Sequence, residues 1–431
     1  MSNHLAPLEP KADKAAVRRH NLSLVLRAVH DEGETTRAAV AARSGLTRAA
    51  VSSLVEQLLD SGFLTESGKT FSGQAGRPGT VLKVARTGWA GVGVEINVDY
   101  VTVCVVDLSG ADRVRLTEHV DNRGAPPAEV LDRAARITAQ ALESASAREL
   151  HPAGVHLALP GLVSDGTVRQ APNLGWNEVP AETLLARALS GARRSGARRP
   201  AAQGTTADHA RPLTVTSGNE ADAAALAELW FGGLTDAAGR PLRSFLHLTG
   251  EIGIGGALVV DGRLLRGAHG FAGEIGHVVV DEDGPECRCG ARGCLEQYAG
   301  QAALLRAAGL AEDAGQPGVA ELERRALAGD EAAVAAIEGA GRTLGLVLSG
   351  AANLFDPDAI VLGGTYRPLM RWLAPPITER LERRVVSGLW SADSGRLRAS
   401  SSAGDAARGS AALVARDVLA DPLTYADRAG A

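Results

Sequence analysis

Three cysteines and one histidine form the clearest chemical pattern in this chain. Cys287, Cys289 and Cys294 lie within eight residues of one another, and His277 precedes the first of them by ten positions. Three thiolates and one imidazole are the ligand set of a closed tetrahedral zinc site, and glycines between the cysteines let the loop wrap around an ion. We expect structural zinc, because no ligand position stays open for water. The alternative is three unliganded thiols and a surface histidine.

Two carboxylates flank this cluster in the sequence. Glu274 precedes the histidine by three residues, and Glu296 follows the last cysteine by two. Carboxylates accept hydrogen bonds from sugar hydroxyls and supply the few polar groups that orient a ligand in a pocket. A single carboxylate is more often part of a solvated surface, so this pair gains meaning only together with other motifs.

The N-terminal residues have the pattern of a DNA-reading module. Apolar residues at helical spacing predict helices over 17–31 and 36–43 and a third helix capped by Thr47, with a turn at Gly45 before it. Two short helices around a glycine turn are typical of a helix-turn-helix. Two short strands that follow Gly62 would add a wing.

The third helix offers side chains that suit a DNA groove. Small residues would let the helix sink into the major groove, while its arginine reaches a guanine edge or a phosphate. The alternative is a three-helix bundle with a solvated face. In the wing, the arginine of a Gly-Arg-Pro-Gly turn would enter the minor groove, although a plain turn explains that motif equally well. The expected DNA contacts are Arg48, Ala49, Ser52, Ser53 and Arg77.

Composition limits the remaining possibilities. The 431 residues are 45% hydrophobic and 22% charged, as in soluble globular proteins. Residues 1–88 carry a net charge of +4 and the remainder −9, which favours contact with a polyanion at the N-terminal end only. We expect a cytoplasmic protein, because no apolar run reaches the roughly 18 to 20 residues of a membrane helix, no signal peptide is present, and four cysteines cannot form a disulfide framework.

From Trp89 the sequence alternates apolar strands with helices, which predicts an α/β body. One segment of it is low in apolar residues and contains a near-repeat of Gly-Ala-Arg-Arg, so it is interpreted as a flexible insertion. The predicted organisation is an N-terminal tail over 1–16, a winged helix-turn-helix over 17–87, a body over 89–418 with the insertion at 191–211, and a C-terminal tail over 419–431.

Several motifs of the body occur in the order of a known family. The sequence resembles the ROK family, which groups repressors, open reading frames and sugar kinases, and the winged module in front is similar to its repressor branch. The motifs are GFAGEIGH (270–277), CRCGARGCLE (287–296), LTGEIGIGGALVVDG (248–262), LPGLV (159–163), APNLGW (171–176), GNEADAAALAE (218–228) and IVLGG (360–364).

The resemblance implies an actin-like, two-lobed body with a monosaccharide bound in the cleft between the lobes. It also implies a homodimer or homotetramer, and a two-fold protein would bind inverted half-sites of operator DNA. The sugar contacts that it implies match the family pattern at every position but one, Glu220. These contacts are Asn173, Asn219, Glu220, Glu274, His277 and Glu296.

Two kinase motifs of that family are altered here. Its kinases carry an Asp-x-Gly-Gly-Thr loop whose amides close on ATP phosphates, but this chain has Glu95-Ile96-Asn97-Val98-Asp99. At the position of the kinase general base, an aspartate, this chain has Glu220, and displacement on the order of 1 Å costs about a hundredfold in rate. Glu251 also adds negative charge to a second glycine-rich segment, residues 250–256, where the kinases would favour phosphate. We therefore expect no ATP cofactor and no catalytic residue.

The sequence accordingly favours a sugar-responsive DNA-binding regulator, a repressor of carbohydrate metabolism genes, over two alternatives. One alternative is an ATP-dependent hexose kinase with an appended DNA module. The other is a protein-interaction scaffold that answers to a phosphotransferase component and not to free sugar. Ligand-dependent operator binding, ATP turnover and partner capture would separate the three hypotheses.

Overall fold

A computed structural model of the protein describes residues 13–70, 79–196, 212–236, 238–401 and 405–429. They form an N-terminal winged helix-turn-helix and a body of two α/β lobes, which confirms the predicted fold class. The predicted insertion falls largely on residues 197–211, which lie outside the described residues. Its first residues, 191–196, are the end of a helix.

The winged module is built as its sequence predicts, with shifts of a few residues at the ends. Its first helix begins at Lys14 because Asp13 caps it, so it includes residues that were expected in the tail. Thr36 caps the second helix and Thr47 the third, each accepting a hydrogen bond from a backbone amide three residues on. The elements are α1 (Lys14–Glu32), β1 (Thr35–Thr36), α2 (Arg37–Ser44), α3 (Arg48–Asp60), β2 (Leu64–Thr70) and β3 (Gly79–Val84), with strand order β1-β3-β2.

Lobe 1 contains a five-stranded sheet in the order β11-β7-β4-β5-β6 and a small antiparallel sheet, β10-β9-β8. Apolar residues of the central strands are buried against the helices, which makes the strands continuous hydrophobic runs. Its elements are β4 (Gly88–Ile96), β5 (Tyr100–Asp107), β6 (Asp112–His119), α4 (Pro127–Ser146), β7 (Leu150–Leu159), β8 (Leu162–Ser164), β9 (Thr167–Ala171), β10 (Trp176–Val179), α5 (Ala181–Gly196), β11 (Val215–Asn219) and α6 (Glu220–Phe231).

Lobe 2 contains a second five-stranded sheet, in the order β14-β13-β12-β15-β16. Helix α10 is the one described helix long and apolar enough to span a membrane, but it packs on α11, and 56% of its apolar window is buried, as in a core helix. The elements are β12 (Phe245–Gly250), β13 (Ile254–Val260), β14 (Arg263–Leu264), α7 (Glu296–Ala299), α8 (Gln301–Ala307), α9 (Gly315–Leu327), α10 (Glu331–Phe355), β15 (Ala359–Gly364), α11 (Tyr366–Arg384) and β16 (Leu397–Ala399).

Helix α12 (Ala406–Ala420) returns to lobe 1 and lies directly on the backbone of β4. A Cβ atom at Gly91 would lie 1.9 Å from the carbonyl oxygen of Ala411, and one at Gly93 would lie 2.0 Å from that of Ala407. On its other side, α12 approaches α6 equally closely at Gly409. Only glycine permits such contacts between backbones.

The far end of α12 is part of the winged module's core. Val418 and Leu419 lie in one buried cluster with residues of α1, α3 and β3. The Ser23 hydroxyl donates a buried hydrogen bond of 3.0 Å to the Leu419 carbonyl oxygen. Residues expected as a C-terminal tail are thus helical: α12 extends to Ala420, and α13 (Pro422–Ala429) packs on α1.

We expect Gly93→Ala to lower the free energy of unfolding by about 1 to 3 kcal/mol, because the new methyl group must displace the α12 backbone. Gly191→Ala is the matched control. Gly191 is exposed in α5, and nothing beyond its own helix lies within 4 Å of its Cβ position, so alanine there is expected to be neutral or stabilising by up to about 1 kcal/mol. Urea denaturation of both variants measures the difference; equal midpoints would contradict it.

Candidate functional site

A cavity lies in the cleft between the two lobes. It comprises about 910 Å³ of space between the lobes, part of it open to solvent. Lobe 1 contributes residues 160–163, the turn after β9 and the start of α6. Lobe 2 contributes the glycine run (residues 250–256) and the metal loop, the segment 277–294 that carries the three cysteines and the histidine. All six expected sugar contacts line it: Asn173, Asn219, Glu220, Glu274, His277 and Glu296.

The two residues at the start of α6 have different roles. Asn219 caps the helix: its Oδ1 accepts hydrogen bonds from the amides of Ala221 (2.7 Å) and Asp222 (3.2 Å), and its Nδ2 donates to Gly161 O at 3.0 Å. These bonds make Asn219 a structural residue of the cavity wall. Glu220 differs in that its Oε2 is buried without a hydrogen bond among the described residues. Burial raises the pKa of Glu220 well above its usual range, and the negative charges of Glu274 and Glu95 add to this effect.

Three of the expected contacts come from lobe 2. Glu296 is the first residue of α7, and its Oε2 accepts a hydrogen bond of 3.1 Å from the Ile254 amide. Glu274 and His277 bracket a single 3-10 turn, which places Glu274 Oε2 3.9 Å from His277 Nε2. Burial raises the pKa of both glutamates, partly opposed by the histidine. The arrangement offers carboxylate acceptors beside an imidazole.

The cysteines and the histidine converge as the sequence predicts. Their ligand atoms all lie within 4.8 Å of one another, with 3.7 Å between Cys289 Sγ and Cys294 Sγ and 3.7 Å between Cys287 Sγ and His277 Nδ1. A tetrahedral ion with metal–sulfur bonds of about 2.3 Å and metal–nitrogen bonds of about 2.0 Å requires separations of about 3.5 to 3.8 Å. The two separations of 3.7 Å agree with this geometry, so the four residues could hold one metal ion.

The metal loop and the cavity share two side chains. His277 directs Nδ1 toward the cysteines and Nε2 toward Glu274, so one ring can serve a metal and a ligand at once. Arg288, which lies between two of the cysteines, donates a hydrogen bond of 3.3 Å to Asn173 Oδ1 in lobe 1. The metal loop thus contacts both lobes at the cavity.

Buried carboxylates occupy the region of the altered kinase loops. Glu95 accepts hydrogen bonds from the Tyr100 hydroxyl (2.5 Å) and from the Ala407 amide at the start of α12 (3.1 Å). Burial raises the pKa of Glu95 to about 7 and that of Glu251 to about 8, and the Glu95 charge adds to the effect on Glu251. Gln316 donates a hydrogen bond of 3.4 Å to Glu251.

Three charged residues that line the cavity were not among the expected sugar contacts: Asp222, Glu251 and Arg288. Asp222 follows Glu220 by two positions in α6, where burial raises its pKa to about 6 and Arg266 at 4.0 Å opposes the rise. The position of Arg288 between two predicted metal ligands indicated that its side chain would point away from the ion. No sequence pattern indicated that it would reach the opposite lobe.

The face of α3 that was expected to contact DNA is exposed. Arg48, Ala49 and Ser53 are exposed and Ser52 is half-buried, while Val51 and Val55 face the core. The Arg48 side chain makes no hydrogen bond or ion pair within the described part of the chain, so it is available to a ligand. Arg77 lies outside the described residues.

The fold and the site together define a class of protein. Its members join a winged helix-turn-helix to a two-lobed, sugar-kinase-like body, and here a polar cavity lies beside a Cys₃His cluster. The chain belongs to the ROK family, whose pattern its residues 206–417 match. A putative xylose repressor from Caldicellulosiruptor sp. (strain Rt8B.4) is 28% identical over 363 residues, covering 81% of this chain and 84% of that protein. A glucokinase from Thermotoga maritima is 30% identical over 262 residues, covering 57% of this chain and 74% of that enzyme.

Among solved structures, a ROK family transcriptional regulator described as a homolog of the E. coli MLC protein superposes with a TM-score of 0.72 at 24% identity. The match covers 95% of this chain and 98% of that one, so it includes both the winged module and the body. This superposition confirms the predicted architecture, an actin-like, two-lobed body preceded by the winged module.

We expect purified protein to contain one metal ion per chain and Cys289→Ser to contain much less, because the substitution removes one of four ligands. Elemental analysis after gel filtration measures the stoichiometry. Cys104→Ala is the matched control, since Cys104 is buried in β5 away from the cluster and its loss leaves all four ligands in place. Metal-free wild-type protein, prepared without chelator, would refute the site.

We expect Arg48→Ala to weaken specific DNA binding more than non-specific binding, because a bidentate contact to guanine contributes roughly 1 to 3 kcal/mol. Competition between operator and random DNA measures both affinities. Arg136→Ala, in α4 of lobe 1, is the matched control for loss of one positive charge. Equal losses on both DNAs would assign Arg48 to phosphate contact alone.

Proposed function

We propose that this protein is a sugar-responsive, DNA-binding transcriptional repressor of carbohydrate metabolism genes. One observation carries the proposal: α12 joins the ligand cavity to the DNA module. Glu95, two residues before the cavity residue Asn97, accepts a hydrogen bond from the Ala407 amide in the first turn of α12. The Ser23 hydroxyl of the winged module donates a hydrogen bond to the Leu419 carbonyl oxygen in the last turn. A change of lobe arrangement is thereby passed to the helices that read DNA.

The DNA half of the proposal rests on the exposed face of α3 and on the relatives. Arg48, Ala49, Ser52 and Ser53 would enter the major groove, and Arg77 in the wing would contact the minor groove. Xylose repressors from four bacterial strains align with about four fifths of the chain at 26 to 28% identity.

The sugar half rests on the chemistry of the cavity. Asn173, Glu274, His277 and Glu296 would bind hydroxyl groups of a monosaccharide, with Glu220 as a further contact and Asn219 shaping the wall. Structural zinc would hold the metal loop, and with it His277 and Arg288, in position. Three thiolates and one imidazole, all four ligand positions filled, are the set that zinc adopts in structural sites.

Glucokinase relatives make ATP-dependent phosphorylation of a sugar the alternative function. The carboxyl groups of the cleft argue against it. At the position of the kinase general base, Glu220 displaces the carboxylate by one methylene relative to an aspartate, and misplacement on the order of 1 Å costs about a hundredfold in rate. Glu95 and Glu251 place further carboxyl groups where a kinase would hold phosphate. We infer that the body binds sugar without transferring phosphate.

Assembly and location follow from this function. We propose that the protein acts in the cytoplasm as a homodimer or homotetramer, since two copies of the winged module would match the two halves of an inverted operator. Sugar would release the protein from DNA. The sensing step requires that sugar bind one arrangement of the lobes more tightly than the other.

We expect Glu274→Gln to lose sugar binding, because it removes a charged acceptor and with it roughly 1.5 to 3 kcal/mol, while leaving sugar-free DNA affinity within about twofold. A thermal-shift screen of monosaccharides identifies the effector, since a ligand at 100 times its Kd stabilises by about 2.7 kcal/mol. Glu129→Gln, exposed at the start of α4, is the matched control.

The wild-type protein allows a test of the coupling between sugar binding and DNA binding. When the identified sugar is titrated into free and into operator-bound protein, the two sugar affinities should differ by a factor of typically about 5 to 150. The same factor should describe the change in DNA affinity that the sugar causes. Identical sugar affinities would refute the sensor. Sugar-dependent ATP turnover by the wild-type protein at about 1 per second or faster would instead establish the kinase.

A further inference from the structure

A second cavity lies where the winged module meets the body. It comprises about 500 Å³ of space, part of it open to solvent. Its walls are the end of α1, the turn between β5 and β6, the end of α6 and one face of α12, so a molecule inside it would touch both the winged module and lobe 1. We call this space the junction cavity and define it by His30, Leu108, Ser109, Trp230, Phe231 and Arg416.

Most of the junction cavity is apolar. Val106, Leu108 and Leu419 are buried in its walls, and the half-buried rings of Trp230 and Phe231 line it. The turn between β5 and β6 packs directly on one ring, since a Cβ atom at Gly110 would lie 2.6 Å from Phe231 Cε1. An apolar and aromatic lining with a few polar groups is typical of sites for small organic molecules.

Arg416 is a polar group of this lining that lacks a partner. Its guanidinium lies over the Trp230 ring, 4.5 Å from the ring centre, and it makes no hydrogen bond or ion pair within the part of the chain that the structure describes. Burial and the positive charge of Arg27 lower the pKa of Arg416, while the charge of Asp31 opposes this effect. An arginine nevertheless stays protonated in proteins. The cavity wall therefore carries a half-buried cation that is short of negative charge.

The other charged groups of the lining do have partners. Asp107 accepts hydrogen bonds from the Ser109 amide (2.9 Å) and hydroxyl (2.6 Å), and it forms an ion pair of 2.9 Å with Arg113. His30 Nδ1 lies 3.2 Å from Asp31 Oδ1. Among the described residues that line the junction cavity, the charge that remains unpaired is thus positive.

From the apolar lining and the unpaired guanidinium, we propose that the junction cavity is a second ligand site, which binds a small organic carboxylate with an apolar or aromatic body. The planar fork of an arginine matches the two oxygens of a carboxylate, and the rings of Trp230 and Phe231 offer contact area to the rest of the ligand. The described linings of the junction cavity and of the cleft cavity have no residue in common. The inference therefore does not depend on sugar binding.

A ligand in this position would connect the two parts of the protein. It would contact α1 of the winged module at His30 and α12 of the body at Arg416. A molecule that binds both elements stabilises the arrangement in which they are docked, because it binds that arrangement more tightly than a separated one. The site thus offers the DNA module a second input, which acts at its base.

Small carboxylates of known structure test the site on the full-length protein. Benzoate, phenylacetate and hexanoate are titrated by calorimetry at constant ionic strength, with benzamide as the uncharged control and acetate as the control without an apolar body. We expect at least one of the three carboxylates to bind with a Kd of about 1 mM or lower, and both controls at least about tenfold more weakly. If no carboxylate binds more tightly than about 10 mM, or if benzamide binds as tightly as benzoate, the inference is overturned.

A charge variant tests the role of the guanidinium. Arg416→Gln should weaken binding of the best carboxylate at least about tenfold, whereas Arg416→Lys, which keeps the charge, should weaken it less. Arg371→Gln is the matched control, since Arg371 is also stacked on a tryptophan, 5.0 Å from the ring centre of Trp372 in α11, but lies outside the cavity. Thermal unfolding of each variant verifies that it is folded. Wild-type affinity in a folded Arg416→Gln protein would refute the proposed contact.

Hydrogen exchange locates the ligand without any substitution. Saturating the wild-type protein with the best carboxylate should slow amide exchange in the second half of α1 and in α12, the two helices that the ligand would hold together. Helix α10, which does not line the junction cavity, should exchange as before. Slower exchange confined to the glycine run and the metal loop would place the carboxylate in the cleft cavity instead and overturn the inference.

Discussion

The contact between α12 and the bare backbone of β4 is the constraint on which the rest of the structure depends. It requires glycine at two alternate positions of a central strand, Gly91 and Gly93, and it fixes α12 against the sheet of lobe 1. A helix held by backbone contact cannot shift by changing rotamers, so it moves with the sheet. The hydrogen bonds of Glu95 and Ser23 then sit at the two ends of one rigid element.

Some of the carboxyl groups near the cavity accept hydrogen bonds that give them a structural role. Glu95 receives two hydrogen bonds and completes the first turn of α12, and Glu296 orders the glycine run through the Ile254 amide. Glu220 and Glu251 lack such partners or have only a weak one, which costs stability unless they hold a proton. Polar groups left short of partners inside a cavity are typical of a surface that a ligand completes.

Features that depend on residues close together in the chain could be predicted from the sequence, whereas contacts between distant residues could not. The caps of α2 and α3, the glycine turn and the convergence of the Cys₃His cluster follow from neighbours in the chain, and the structure agrees with them. The cap formed by Asn219 shows the limit, because the same residue type in the same motif suits a sugar contact equally well. The bridge from Arg288 to Asn173 and the bond from Ser23 to Leu419 join residues more than a hundred positions apart, where no periodic pattern carries information.

The shared core of α12 and the winged module has a consequence for biosynthesis. The module's helices are made more than three hundred residues before the residues that complete their apolar cluster, Val414 to Leu419. Until those residues are made, the helices have a hydrophobic face that their own core does not cover. A chain that stops before α12 therefore lacks a complete core for its winged module.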